Sequence, residues 1–194
     1  AVGEEVGLRT SPAPKLATSL AVFQLDLRSE QVYSGDSGDT RPSGASRRRG
    51  IELANAYSPL PHLRLDADIG WTQSSYERPV SDGITSGTHI AGSPALVAGL
   101  GISVRDFGRW SGALQYRMFG ERPLANDNSV QSPMTQVVNG RIGYRLDDAL
   151  SLRLDIDNLL NARTPQIAYF YASRLPGEAA GGVNDVHFHP VEPL

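Results

Sequence analysis

The 194-residue chain contains no cysteine. That excludes disulfides and thiolate sites while fitting many compartments, a bacterial outer membrane among them. Long hydrophobic runs are also missing. The most apolar stretch, Ala95 to Val104, is about half the ~20 residues of a spanning helix, and Gly99 and Gly101 interrupt it. There is no excess of basic charge either. A net charge of −3 and a pI near 5.8 leave nucleic acid without an electrostatic footprint. The one basic cluster, Arg47-Arg48-Arg49, lacks interleaved aromatics and reads as a solvated strand end. Ala1–Thr10 carries Glu4, Glu5 and Arg9 where a secretory leader needs an apolar core, so an exported protein's leader is expected upstream or already removed.

What is present is alternation. Leu63, Leu65, Ala67, Ile69 and Trp71 interleave with Arg64, Asp66, Asp68, Gly70 and Thr72. Side chains alternate faces along a strand, so this ribbon has one apolar and one charged face. About nine residues at ~3.3 Å each, tilted ~45°, cover roughly 20 Å of hydrocarbon. Soluble strands average only ~5–6 residues. The mean hydropathy of −0.28 hides this pattern, because outward apolar and inward polar residues cancel in any window.

Eight such segments are predicted: Gly3–Thr10, Leu16–Tyr33, Ser46–Tyr57, Leu63–Tyr76, Ala95–Asp106, Trp110–Gly120, Thr135–Arg145 and a last one through Leu150–Asp157. In the second, Ala21, Phe23, Leu25 and Leu27 are placed on the apolar face against Gln24, Asp26 and Arg28. Short turns at Ser11–Lys15, Ser58–His62, Phe107–Arg109 and Leu146–Ala149 alternate with long polar loops at Ser29–Ala45, Glu77–Ser93, Glu121–Pro133 and from Leu159 onward. Outer-membrane barrels sort their connections this way, short inside and long outside. Tyr57, Trp110 and Tyr144 beside short turns, and Trp71 and Tyr33 near long loops, are expected to form two interfacial girdles. The fold class is all-β, an antiparallel transmembrane β-barrel of about eight meandering strands.

No catalytic constellation emerges. The histidines lie in or beside connections without a nucleophile elbow, so the chain is not read as an enzyme and no cofactor is implied. Asp155 and Asp157 share a face with Arg153, which makes an ion-pair ladder with arginines of the seventh strand the simpler reading than paired acid catalysis. His187 and His189 fall on one side of an extended segment near Asp185 and Glu192, but a two-residue spacing without a firm third ligand assigns no metal site. The polar face that remains, with Arg64, Asp66, Asp68, Gln115, Arg117, Asn139, Arg141, Arg153 and Asp155, is a mixed-sign wall suited to water, a plug or a passing solute.

The stretch Leu152-Arg153-Leu154-Asp155-Ile156-Asp157-Asn158-Leu159-Leu160-Asn161 resembles the C-terminal hallmark of TonB-dependent outer-membrane receptors. Ser46-Arg47-Arg48-Arg49-Gly50-Ile51-Glu52-Leu53, Gly120-Glu121-Arg122-Pro123-Leu124, Tyr169-Phe170-Tyr171 and Arg174-Leu175-Pro176-Gly177-Glu178 are similar too. The resemblance implies a barrel of about 22 strands filled by a plug domain. It imports siderophore-iron, cobalamin or saccharide ligands with energy from the TonB complex. Residues 1–194 would be the C-terminal portion of such a barrel, without plug, TonB box, earlier strands or final strand. Outer-membrane lipid, plug, TonB complex and an unidentified ligand are the implied partners. A self-contained small barrel, serving as structural anchor or adhesin, is the alternative. Asn158 and Asn161 are expected to end the eighth strand by adopting turn conformations. Ligand contact is placed on Tyr169, Phe170, Tyr171, Arg174, His187 and His189: flat amphipathic rings, a fixed-charge fork and switchable donors.

Overall fold

The computed structural model describes residues 1–34, 38–81 and 83–193; parts of two expected long loops, at Gly35, Asp36, Ser37 and Asp82, and the expected chain end at Leu194 lie outside them. In chain order the strands are β1 (Val2–Ala13), β2 (Leu16–Leu27), β3 (Gln31–Ser34), β4 (Asp39–Pro42), β5 (Ser46–Leu60), β6 (Leu63–Ser81), β7 (Ser86–His89), β8 (Leu96–Phe107), β9 (Trp110–Phe119), β10 (Arg122–Pro123), β11 (Gln131–Ser132), β12 (Thr135–Arg145), β13 (Ser151–Ile156), β14 (Pro165–Ser173) and β15 (Val183–Pro190). No described helix is long and apolar enough to cross a membrane.

The long strands pair as one antiparallel meander, β1-β2-β5-β6-β8-β9-β12-β13, which matches the eight predicted segments in number and order. β1 and β13 each pair on one side only, so the described sheet is open; a self-contained eight-stranded barrel would need those two edges joined. Tight connections join the strands at one end. Lys15, Asp106 and Gly108 take positive φ there, and Asp147 Oδ1 accepts the amides of Ala149 and Leu150 at 2.8 Å.

Register decides which face is which. Ile69 pairs with Leu53 and Ala98, and Trp71 with Ile51 and Leu96, so the apolar stripes of β5, β6 and β8 coincide. The stripe continues through Leu100, Tyr116 and Val138, and through Ile142 and Leu154. These side chains are open even on strands paired on both sides, as Ile69 (42% exposed) and Ile142 (48%) illustrate, the pattern expected of a face that meets lipid.

One predicted strand is corrected. β2 stops at Leu27 instead of Tyr33, and its faces are the reverse of the expectation. Val22 pairs with Ile51 and Leu20 with Leu53, which puts the even residues of β2 outward and Ala21, Phe23, Leu25 and Leu27 on the concave face. A Cβ on Gly50 would sit 2.5 Å from the ring of Phe23, so the ring lies across that glycine. The reason is depth. Beyond Val22 the strand has left the apolar belt, so Gln24 and Asp26 can point outward. Tyr33 belongs to the β3–β4 hairpin, and the outer girdle does not include it. Trp110 and Tyr144 do meet on the outward face, with ring centroids 4.6 Å apart.

The packed core sits at the long-loop end. Tyr76, Ile90, Leu124, Ala125, Ala168 and Val191 are its buried apolar side chains, and Ser46, Arg122, Asn126, Ser132, Thr135 and Asn158 its buried polar ones. The loops interlock through backbone groups and the Asn126 side chain. Asn126 O accepts from His89 N (3.0 Å), Asn126 Nδ2 donates to Val80 O (3.0 Å), and Pro123 O accepts from Gly92 N (2.8 Å). A side chain at Gly87 would collide with the Asn126–Asp127 backbone.

Candidate functional site

Two surfaces have the chemistry for a ligand or partner: the concave wall and the aromatic hairpin above it. On the wall, Asp155 takes an ion pair from Arg141 and another from Arg153 (2.7 Å), and Asp66 pairs with Arg64 (2.7 Å). The predicted ladder between the seventh and eighth long strands therefore forms. A groove of about 670 Å³ runs along this face, lined by Arg9, Ser19, Ala54, Arg64, Asp66 and Asp68. Its floor is small side chains and its rim mixed charge, so it suits a polar protein surface better than an apolar small molecule.

The last loop, expected as a long polar connection with an extended segment at Asp185–His189, contains the antiparallel hairpin β14–β15. Register sets Tyr169 opposite His187 and Ile167 opposite His189, which places Tyr169, Tyr171, His187 and His189 on one face and Phe170 on the other. Tyr171 stacks on His187, with centroids 4.0 Å apart and planes 23° from parallel. Tyr169 meets Tyr33 of the β3–β4 hairpin at 5.2 Å. Burial, with the neighbouring Tyr33 second, holds the Tyr169 phenol above its ordinary pKa. The Nε2 of His187 is buried without a hydrogen-bond partner. His189 is exposed two residues further along the same face. Arg174 lies apart at the hairpin tip, where its Nε donates to Glu178 O at 3.2 Å.

Three buried residues fix this hairpin to the wall. Arg122 donates to Thr135 Oγ1 (3.2 Å) and Gln166 O (3.1 Å), and Thr135 Oγ1 donates to Pro165 O (2.5 Å). Burial pushes the Arg122 guanidinium below its usual pKa. Asn158, at φ 50°, donates through Nδ2 to Ala162 O (3.0 Å) and Glu192 O (2.8 Å), while its Oδ1 accepts from Ala162 N (2.8 Å). The turn role expected of Asn158 is thus present, together with a clamp on the segment after β15. Sequence reasoning missed Tyr33, Arg122 and Asn126 as parts of this assembly. Each has a partner 41 or more residues away, so no local pattern announces them.

The family model for the TonB-dependent receptor-like β-barrel matches residues 5–159, four-fifths of the chain. The chain belongs to that family. No curated protein matches it. Among solved structures, the receptor barrel resembles the ferric yersiniabactin uptake receptor FyuA from Yersinia pestis (17% identity, TM-score 0.68, covering 95% of this chain and 27% of that one). It also resembles the siderophore receptor PiuA from Acinetobacter baumannii (15%, 0.68, 97% and 27%) and the copper transporter OprC (19%, 0.62, 98% and 29%). At these identities the likeness shows the fold. The chain spans about a quarter of the length of each. The family is one of outer-membrane transport receptors rather than enzymes.

Proposed function

We propose that this receptor barrel is a C-terminal wall segment of an outer-membrane active transporter for a bulky, scarce ligand of the siderophore-iron, cobalamin or saccharide class. Plug domain and TonB complex act through the full-length protein. The observation that carries this reading is the meeting of Tyr33, Tyr169, Tyr171 and His187 at the long-loop end above a polar concave wall. Stacked rings present flat amphipathic area to a ligand ring system. Exposed Arg174 offers a bidentate fork to a carboxylate further out, and His189 a second imidazole. The polar wall below faces the plug.

Binding and uptake of a panel of ferric siderophores, cobalamin and oligosaccharides by the full-length protein test the reading, in Tyr171→Ala, His187→Ala, Arg174→Ala and His189→Ala at matched surface abundance. Loss of binding is expected to be largest for Tyr171→Ala and His187→Ala, about tenfold, as for one charge-free contact with its desolvation cost. Unchanged binding in all four variants places recognition elsewhere.

A further inference from the structure

The outward face changes character within one pleat. Val6, Val22, Ile51 and Trp71 form the last apolar row across β1, β2, β5 and β6. The next row, roughly 7 Å further along the strands and about 5 Å further from the membrane centre at a ~45° tilt, is Glu4, Gln24, Arg49 and Gln73. The row after it contains Asp26, Arg47 and Ser75. An outward arginine costs ~2–4 kcal/mol at the bilayer midplane and only ~0–1 kcal/mol near the interface. These charged rows therefore stand at the headgroup level, just outside the ring of Trp71.

The side chains there are not independent. Arg47 Nε donates to Asp26 Oδ1 at 2.5 Å, and its Nη2 is 3.6 Å from Glu77 Oε1. Asp26 Oδ2 accepts from Gln24 Nε2 at 2.7 Å, and Gln24 Oε1 accepts from Arg49 Nε at 2.8 Å. Arg47 is neutralised by this network. Arg49 is not: among the described residues its one side-chain hydrogen bond is to a neutral amide, no carboxylate lies within ion-pair distance, and the residue is exposed. The Asp26–Gln24 pair thus holds the guanidinium by its Nε and leaves the two terminal nitrogens without a hydrogen-bond partner among the described residues. A guanidinium held in this way matches a phosphate bidentately, with little ordering entropy left to lose.

We propose that Arg49, oriented by Gln24 and Asp26, is a binding site for the phosphate of an outer-leaflet membrane lipid. The site is separate from the loop aromatics and does not depend on which ligand they take. It fastens one sector of the receptor wall, β2–β5, to the surrounding leaflet.

The test uses the full-length protein in phosphatidylcholine vesicles with diphosphorylated lipid A, the same lipid dephosphorylated, or neither, and native mass spectrometry of what stays bound after mild detergent extraction. Wild type is expected to retain lipid A over its dephosphorylated form. Arg49→Gln should lower that retention about tenfold, the worth of a charge-assisted bidentate pair. Gln24→Leu, which keeps the charge but frees the fork, should lower it less. Arg105→Gln, on the concave face at the short-turn end, should leave it unchanged. Equal retention by Arg49→Gln and wild type, or equal retention of the dephosphorylated lipid, overturns the site. Displacement of lipid A by inorganic phosphate would show an ion site instead and overturn the lipid assignment. If Arg49→Gln does not assemble, Gln24→Leu decides alone, and retention equal to wild type again overturns it.

Discussion

The wall and the loop end of this chain are stabilised by different physics. Along the strands, register satisfies the backbone while the outward side chains stay open: Leu100 and Ile142, on strands paired on both sides, are each 48% exposed. At the loop end, Leu124, Ala125 and Ala168 are 5% exposed or less, and polar groups such as Asn158 are buried with partners. Lipid does for the first region what a hydrophobic core does for the second. A substitution on the wall is therefore read out as membrane assembly, and one at the loop end as local order.

The largest effect expected from this contrast is on the wall. Leu65→Arg and Leu152→Arg each place a charge in hydrocarbon at ~2–4 kcal/mol, so both should deplete the protein from outer-membrane fractions. Asp66→Asn and Arg153→Gln, on the concave face, should assemble almost normally. The corrected parity of β2 sharpens the comparison: Leu20→Arg, in the deeper outward row with Leu53 and Ile69, should impair assembly and Ala21→Arg should not. Normal assembly of Leu20→Arg with loss of Ala21→Arg would return β2 to the opposite parity.

Asn158→Ala is the matching change at the loop end. It removes the side-chain bonds to Ala162 and Glu192 and leaves an alanine at φ 50°. Stranded buried groups cost ~1–3 kcal/mol and the left-handed backbone ~1–2 kcal/mol. Assembly should persist while amide exchange in β14–β15 accelerates. If exchange there is unchanged, the clamp does not hold the hairpin.

A smaller effect is set by pH. Asp127 Oδ1 accepts from the hydroxyl (2.6 Å) and the amide (3.0 Å) of Ser129, which holds the carboxyl below its ordinary pKa of 3.8. A depressed folded value means that the turn's stabilisation is complete above 3.8 and fades as pH falls through the lower folded value. Amide exchange at Ser129 should rise only under such acid conditions, and Asp127→Asn should flatten that response. A transition centred above 3.8 in the wild type would contradict the assignment.

The wall was legible in the sequence because charge marks one of its faces. Leu63–Trp71 alternates against Arg64, Asp66 and Asp68, so period and polarity agree. Ala21–Leu27 alternates just as regularly, yet alternation alone does not say which side meets lipid. Only the pairing of Val22 with Ile51 does, and pairing is not local. The β14–β15 hairpin escaped for another reason: Ile167, Tyr169 and Tyr171 on one face oppose Ala168, Phe170 and Ala172 on the other, so neither face is polar and no period of two stands out. The candidate residues themselves were readable as types. That Tyr169, Tyr171 and His187 come together, that Tyr33 joins them, and that Arg174 stays apart required the fold.

The interlocked loop core has a consequence for the order of assembly. Each wall contact joins neighbours in the meander and closes a short stretch of chain, whereas Tyr76, Ile90, Leu124, Ala168 and Val191 come from segments spread over more than half its length. Contacts between distant segments pay their loop-closure entropy before any reward arrives, unless earlier pairing has already brought the ends together. The meander does that here. The loop core is therefore the last part to form, and its completion reports that every preceding strand has entered in the correct register.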